Sequence, residues 1–418
     1  MPDAIVIGAG VIGATTALYL AREGMSVTVV DSRSGSGLET SFANGGLVTP
    51  STALPWCSPA VPRLLLRWIG REDAPLLLRP SAIPRLGIWG AKFLANCRPV
   101  KHRTSAKQLT RFGRESLEET EGLLAQRTVK YSLNYGGLIE LFRGPDGVAA
   151  RDSYATFLET LDVRVKRLGP QDCIALEPHL SSIAPTIRAG LLLPDDAWGD
   201  ARVFTNAVED AARALGVTFA FATQMKSIET AAGKVSGVMT QNGPIAARTV
   251  VVCAGPAAKR MVKPFGIDLP IEPVKGYSIS IPKTELGFLP TRPIVDDTAR
   301  LGVTPLGDHL RVAGTVEFDG FNRTVRPGRV KNLLNAFQAL FPDAPPPENY
   351  SPWCGFRPMS ADGKPIVDKT AVEGLYINSG HGALGWTLAC GSARLITNEV
   401  IGRRGREPSA FRLDRSFW

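Results

Sequence analysis

Six cysteines occur in 418 residues, at positions 57, 97, 173, 253, 354 and 390, and no two form a CxxC pair or a Cys/His spacing of the metal-ligand kind. This argues against a zinc site and a disulfide framework, and for a reducing, cytoplasmic compartment; no metal is expected. Long hydrophobic runs are missing too. No apolar stretch approaches the roughly 20 residues of a membrane-spanning helix, and residues 1–20 open a folded unit rather than a signal peptide. A third absence is any helix-turn-helix, finger or RNP-like stretch to accompany the net charge of +9, so nucleic-acid binding is not expected. The positive excess reads as a field for anionic ligands, or as a surface facing the inner side of the cytoplasmic membrane. Oligomeric state is not legible.

With 44% hydrophobic and 21% charged residues the composition is that of a globular protein, and the length suits two domains. Ala4–Ile7 is an apolar run suited to a buried strand, and Gly8-Ala9-Gly10-Val11-Ile12-Gly13 is a GxGxxG turn. A helix is predicted over Ala14–Gly24 and a second strand over Ser26–Val30, closed by Asp31. In this order Gly8 makes the tight turn, Gly10 admits a pyrophosphate, and Gly13 lets helix and strand approach. The helix N-terminus offers N–H groups to phosphate. Asp31, about twenty residues on, is placed to accept from a ribose hydroxyl.

Further along, Glu39–Gly46 is a polar, glycine-ending loop, and residues 54–103 are rich in Pro, Trp, Leu and Arg. A helix is predicted over 104–127 and 203–215. Strands are predicted at 135–142, 189–194, 217–221, 235–240 and 248–255. Residues 271–350 read as an antiparallel sheet. Strand 375–378, the glycine-rich loop 379–385 and helix 386–401 restore α/β character. The fold class is therefore α/β. A Rossmann-like dinucleotide domain is assembled from residues 1–50, 200–262 and 352–418, with a mixed-sheet substrate or cap domain formed by 51–199 and 263–351. A nicotinamide enzyme usually completes its nucleotide domain in one stretch, so this late return of glycine-rich sequence points to FAD.

GAGVIG, Glu39-Thr40-Ser41 with Asn44, Pro55-Trp56, Lys275-Gly276-Tyr277-Ser278, Gly355-Phe356-Arg357-Pro358-Met359 with Asp362-Gly363, and Gly380-His381-Gly382 with Leu384-Gly385-Trp386-Thr387 stand in order along the chain. Together they resemble the small-subunit family of bacterial D-amino acid dehydrogenases, within the D-amino acid, glycine and sarcosine oxidase superfamily. The resemblance covers essentially the whole chain and implies a two-domain flavoprotein. It implies that Gly8, Ala9, Gly10, Val11, Ile12 and Gly13 meet the pyrophosphate, and that Asp31, Ser32 and Arg33 meet the adenosine ribose. Ser41, Asn44, Gly45, Leu47 and Val48 would run beside the ribityl chain and flavin. Met225 would meet adenine through its backbone, Ala254-Gly255 form a second FAD turn, and Gly380–Gly382 with Leu384–Thr387 complete the site. Asp31 stands where many such flavoproteins carry Glu.

The implied reaction is oxidative deamination of a D-amino acid: hydride passes from Cα to flavin N5, the imino acid hydrolyses to 2-oxo acid and ammonia, and electrons go to a quinone or another acceptor. Arg357 is the expected carboxylate clamp, because a guanidinium gives two parallel charge-assisted hydrogen bonds. Tyr277 is a candidate second substrate contact, with a packed sheet tyrosine as the alternative, and His381 a candidate flavin and substrate contact. The alternatives are an O₂-using oxidase, an enzyme of cyclic imino acids such as D-proline or cis-4-hydroxy-D-proline, and a non-catalytic electron-relay subunit. FAD is expected to be non-covalent, Cys354 reading as a small buried residue. Arg63, Arg67, Arg71, Arg79, Arg85, Lys92 and Arg98, interleaved with Trp56, Trp68 and Trp89, suit either an interfacial membrane contact or a cap over the active site with solvated cations.

Overall fold

The computed structural model of the protein describes residues 1–403 and 409–418; residues 404–408 of the third dinucleotide segment lie outside the described residues. A six-stranded sheet runs in the order Ile366–Lys369, Leu375–Ser379, Thr249–Val252, Ala4–Ile7, Val27–Val30, Thr218–Ala220. All its pairings are parallel except that of the edge strand Ile366–Lys369. Parallel strands are buried on both faces and therefore read as continuous apolar runs, as AIVI and TVVV do. One face is covered by helices Val11–Arg22, Ala201–Ala214 and Ala389–Val400 and by the long helix Pro99–Ala125. The other face packs on a three-stranded antiparallel sheet formed by Met225–Ala231, Lys234–Thr240 and Gly243–Ala246.

A nine-stranded mixed sheet forms the second layer. Its core strands are Ser351–Ser360, Ile271–Pro282, His309–Phe318, Leu301–Leu306, Ile294–Asp296, Leu138–Phe142, Ala189–Leu193 and Lys166–Leu168, with Leu76–Leu78 added parallel to His309–Phe318. Ser351–Ser360 pairs along its length with Ile271–Pro282. A boundary at residue 352 would cut this strand; the third segment of the dinucleotide sheet enters at Ile366.

Residues 271–350 are not all sheet. Pro327–Leu340 is a helix, with Pro327 in its first turn, where a missing N–H does no harm. Val330, Leu333, Phe337 and Leu340 recur on its buried face, a 3.6-residue period obscured by the Gly and Pro around it. The same helix buries Arg329, whose guanidinium donates to the carbonyls of Glu72 at 2.8 Å, Ala74 at 2.7 Å and Val316 at 2.9 Å. These bonds tie the segment before Leu76–Leu78 to the sheet. The Pro/Trp/Leu/Arg stretch forms helices Val61–Trp68 and Ile83–Asn96 around that strand.

Candidate functional site

A cavity of about 1800 Å³ runs between the two sheets, well above the 300–1,000 Å³ of an ordinary small-ligand pocket. One end is the GxGxxG turn. Gly8 has φ of +105° and lies so close to the neighbouring strand that a Cβ would sit 2.7 Å from the Cys253 carbonyl oxygen. A Cβ on Gly13 would lie 1.8 Å from the Gly8 carbonyl oxygen. Gly10 is different: a Cβ there would meet only Ser41 Oγ at 3.6 Å, leaving the cradle open toward the cavity. Gly8, Gly10, Val11 and Ile12 border the cavity, whereas Ala9 and Gly13 lie behind it and shape the turn. Ser41 Oγ accepts from Val11 N–H at 3.1 Å, satisfying one free donor of the helix start.

Asp31 also borders the cavity. Its Oδ2 accepts from Ala9 N–H at 2.6 Å and its Oδ1 from Arg33 N–H at 2.7 Å, so the carboxylate braces the turn and keeps lone pairs for a hydroxyl. Burial raises its pKa against the lowering effect of these bonds. Ser32 borders the cavity with it, but Arg33 does not; its guanidinium pairs with Glu39 at 2.5 Å. Thr223, Gln224 and Met225 form an adjoining wall, and Ala254-Gly255 another.

The loop 43–46 is held by three residues of the large sheet. Ser278 Oγ donates to the Ala43 carbonyl at 2.6 Å, Arg311 to Asn44 at 2.8 Å and Thr304 to Gly45 at 2.7 Å. Asn44 Oδ1 accepts from Gly46 N–H at 3.1 Å. Leu47 lines the cavity; Val48 turns into the hydrophobic core, and Gly380 stands outside the lining while Gly382 and Leu384–Thr387 are in it. Partners more than 200 positions away leave no local signal, which is why Thr304 and Arg311 escape motif reading and why the motif holding Ser278 does not reveal its contact.

Arg357 reaches the cavity from Ser351–Ser360, where it pairs in register with Val274. Its guanidinium lies over the Trp56 ring at 5.3 Å and against Gly276, where a Cβ would approach Nη1 to 2.7 Å. The glycine is what makes room. Nη1 is buried without a hydrogen-bond partner, and among the described residues Arg357 has no acidic neighbour within ion-pair distance. Burial lowers its pKa to about 10, so it stays a cation at neutral pH. A half-buried cation with a desolvated, unpaired Nη1 is unfavourable by itself and is relieved by an anion.

Tyr277 does not join it. Strand alternation puts Tyr277 on the opposite face from Gly276 and Arg357, its ring packs in the core of the large sheet, and its hydroxyl donates to Glu317 at 2.6 Å. The packed-tyrosine alternative describes it, although it borders the cavity. Cys354, opposite Tyr277 in register, is outside the cavity lining, and its thiol donates to the Arg323 carbonyl. Arg79 is likewise no solvated cation: it pairs with Glu317 at 2.8 Å and Glu72 at 2.9 Å.

His381 lines the cavity, is buried, and shares a 2.8 Å hydrogen bond between Nε2 and Ser392 Oγ. Burial depresses its pKa from 6.5 to about 3. The ring is therefore neutral, and its NMR signals should stay flat between about pH 5 and 8, where an ordinary histidine titrates. In the linkage sense, the unfolded chain binds this proton and the folded one does not. The stabilising contribution is thus whole above pH 6.5 and lost as pH falls toward about 3. A titration near pH 6.5 would show the imidazole to be solvated.

The residues present fit a dinucleotide: a glycine cradle that a Cβ would fill, an acid beside it, and a cavity long enough to continue past it to an orphaned guanidinium. The chain matches the DAO family, described as FAD dependent oxidoreductase, over residues 3–399. It is 38% identical over 400 residues to a D-amino acid dehydrogenase of Methylobacterium radiotolerans, covering 96% of both chains. To the D-amino acid dehydrogenase of Vibrio vulnificus it is 35% identical over 412 residues, covering 99% of both. Glycine oxidase from Bacillus cereus has the same fold, with a TM-score of 0.77 at 22% identity over 100% of this chain and 99% of that one. L-proline dehydrogenase from P. horikoshii follows with a TM-score of 0.73 at 16% identity, over 97% and 95%. The chain belongs to the DAO family of FAD-dependent oxidoreductases.

Proposed function

We propose that the protein is a D-amino acid dehydrogenase. The observation that carries this reading is Arg357, a half-buried cation whose Nη1 is desolvated and which has no counter-charge among the described residues, facing a cavity shared with the dinucleotide cradle. The names of the full-length relatives support the D-amino acid as substrate class. When bound, FAD supplies the two-electron acceptor. Residues 1–50, 200–262 and 366–403 would hold it, with Gly8–Gly13 and Asp31 at the pyrophosphate and ribose. The large sheet and the segment 51–199 would enclose the substrate. Arg357 binds the carboxylate through parallel N–H donors, and the Trp56 face limits where the guanidinium turns. The apolar walls exclude water, and neutral His381 adds no charge beside the reacting carbon. The imino acid leaves and hydrolyses to 2-oxo acid and ammonia.

The test is an anaerobic visible spectrum with paired D- and L-amino acids, D-proline and cis-4-hydroxy-D-proline included. Loss of flavin absorbance with D-enantiomers, and not L-enantiomers, is expected. No loss with any amine would overturn the proposal in favour of an electron-relay subunit. Reoxidation by a quinone analogue but not by air separates dehydrogenase from oxidase.

For the acceptor we propose a lipid-soluble quinone reached from an anionic membrane surface. No described helix is long and apolar enough to cross a membrane. Helix Val61–Trp68 buries no residue, and Leu66 is 76% and Ile88 65% exposed. Arg63, Arg67, Arg85 and Arg98 have no acidic partner within ion-pair distance among the described residues, whereas Arg71 pairs with Asp73 and Lys92 lies over the Phe417 and Trp418 rings. Leu64, Leu65, Trp68 and Leu94 of the same segment line the cavity, so an apolar acceptor has an apolar way in. Sedimentation with phosphatidylglycerol vesicles, weakening as salt rises, is expected. Equal binding to neutral vesicles, or none, would count against it.

A further inference from the structure

The segment 319–326 joins strand His309–Phe318 to helix Pro327–Leu340 and has no regular structure of its own. Its base is fixed. Asp319 Oδ2 accepts from Arg326 at 2.9 Å, and the buried Lys275 Nζ donates to that carboxylate and to the Thr324 carbonyl, each at 3.3 Å. Its tip is not buried: Phe321 is 41% exposed and the Arg323 side chain 56%. Phe356 and Cys354 of strand Ser351–Ser360 support the tip from its own sheet. Two side chains cross from it to the dinucleotide unit. Arg323 Nη1 and Nη2 donate in parallel to the Glu39 carboxylate at 2.9 and 3.0 Å, and Phe321 lies under the Arg260 guanidinium at 4.6 Å. Glu39, Arg260, Phe321 and Arg323 all line the cavity, so these contacts stand on its rim.

The loop carrying Glu39 shows which part of the rim this is. Gly37 N–H donates to the Ala9 carbonyl at 2.9 Å, and Ser41 Oγ accepts from Val11 N–H at 3.1 Å. Residues 37–41 are therefore bound to the GxGxxG turn on both sides of Glu39. Arg260 follows the Ala254-Gly255 wall in helix Ala258–Val262. Both contacts thus span the cavity beside the dinucleotide cradle.

We propose that segment 319–326 is a strap over the cofactor: Arg323–Glu39 and Arg260–Phe321 have to part before FAD enters or leaves. The contacts are made between protein groups, so they hinder entry as much as exit. A side chain that held the cofactor directly would slow exit alone. An exposed ion pair or cation–π contact shifts an equilibrium by only about twofold to fivefold, so the tip can open while its base stays anchored on Lys275. The inference concerns cofactor exchange and stands or falls independently of which amine is oxidised.

Release is measured by chasing holoenzyme loaded with radiolabelled FAD with excess unlabelled FAD, and capture by the quenching of FAD fluorescence on mixing with full-length apoprotein. Arg323→Gln and Phe321→Ala should each speed both release and capture by about twofold to fivefold, and the two together by about tenfold. The ratio of the two rates, the flavin Kd, should hardly move. Arg323→Lys should fall between wild type and Arg323→Gln. Adding Glu39→Gln to Arg323→Gln should bring no further change, because the partner is already gone. Raising salt should speed both rates in the wild type and less so in Arg323→Gln. Faster release with unchanged capture would overturn the strap and make Arg323 a cofactor ligand. Unchanged release and capture in both single variants would overturn it as well. So would a shift in KM for a D-amino acid with flavin exchange unaltered, which would place the segment on the substrate's path.

Discussion

Arg357→Met should lower kcat/KM for D-amino acids by about 10²–10⁴-fold and raise the melting temperature of the substrate-free protein. The first effect follows from losing two charge-assisted hydrogen bonds of about 1.5–3 kcal/mol each, about 1.4 kcal/mol being a factor of ten. The second follows from the surroundings. The guanidinium rests between Trp56 and Gly276 with no acidic partner among the described residues, and its Nη1 is unsatisfied. An apolar side chain of similar length removes that desolvated charge and fills the same space. Arg357→Lys keeps the charge but not the fork, and should recover only part of the activity. The measurements are substrate-dependent flavin reduction and thermal unfolding on the same preparations. A variant with intact kcat/KM would remove the carboxylate clamp from the mechanism. A variant that loses activity and stability together would make Arg357 a structural residue.

Gly13→Ala and Gly10→Ala should separate folding from cofactor retention, although the two glycines sit three positions apart in one motif. At Gly13 the added Cβ would be 1.8 Å from a backbone oxygen of the preceding turn, and no side-chain rotation relieves that. Helix Val11–Arg22 or strand Ala4–Ile7 has to move in a core built of both, and a loss of at least about 3 kcal/mol is expected. At Gly10 the Cβ meets only a hydroxyl at 3.6 Å and φ is −71°, which any residue adopts. Stability should change by no more than about 1 kcal/mol. That methyl occupies the space where a pyrophosphate approaches the helix start, so the protein should fold but purify with little flavin. Flavin content per mole and urea unfolding decide it. If Gly10→Ala kept its full flavin, the pyrophosphate would not lie on this turn.

These two variants also mark how much was legible without coordinates. The strand, turn, helix and strand of residues 4–31 are local. Their glycine spacing is dictated by contacts within one supersecondary unit, so the sequence carries the whole argument. Arg357 was legible through the company it keeps, with glycines before it and Pro358 after. Tyr277 was not, because the choice between substrate contact and packed core depends on which face of a strand meets Glu317, 40 positions away. Pro327–Leu340 escaped because its period of 3.6 is embedded in a region dominated by strand alternation.

The sequence by itself determined the strand, glycine turn, helix and strand of the first 31 residues and the α/β class. Periodicity and turn chemistry act over a few residues, and those features need nothing more. Only the tertiary structure decided that Ser278, Thr304 and Arg311 hold the loop 43–46. It also decided that Arg79 is consumed by an internal ion pair, and that Arg357 has no acidic partner among the described residues beside the cavity. Whether a charge is solvated, paired or stranded depends on what the fold brings within about 4 Å of it, and no pattern of neighbours along the chain contains that distance.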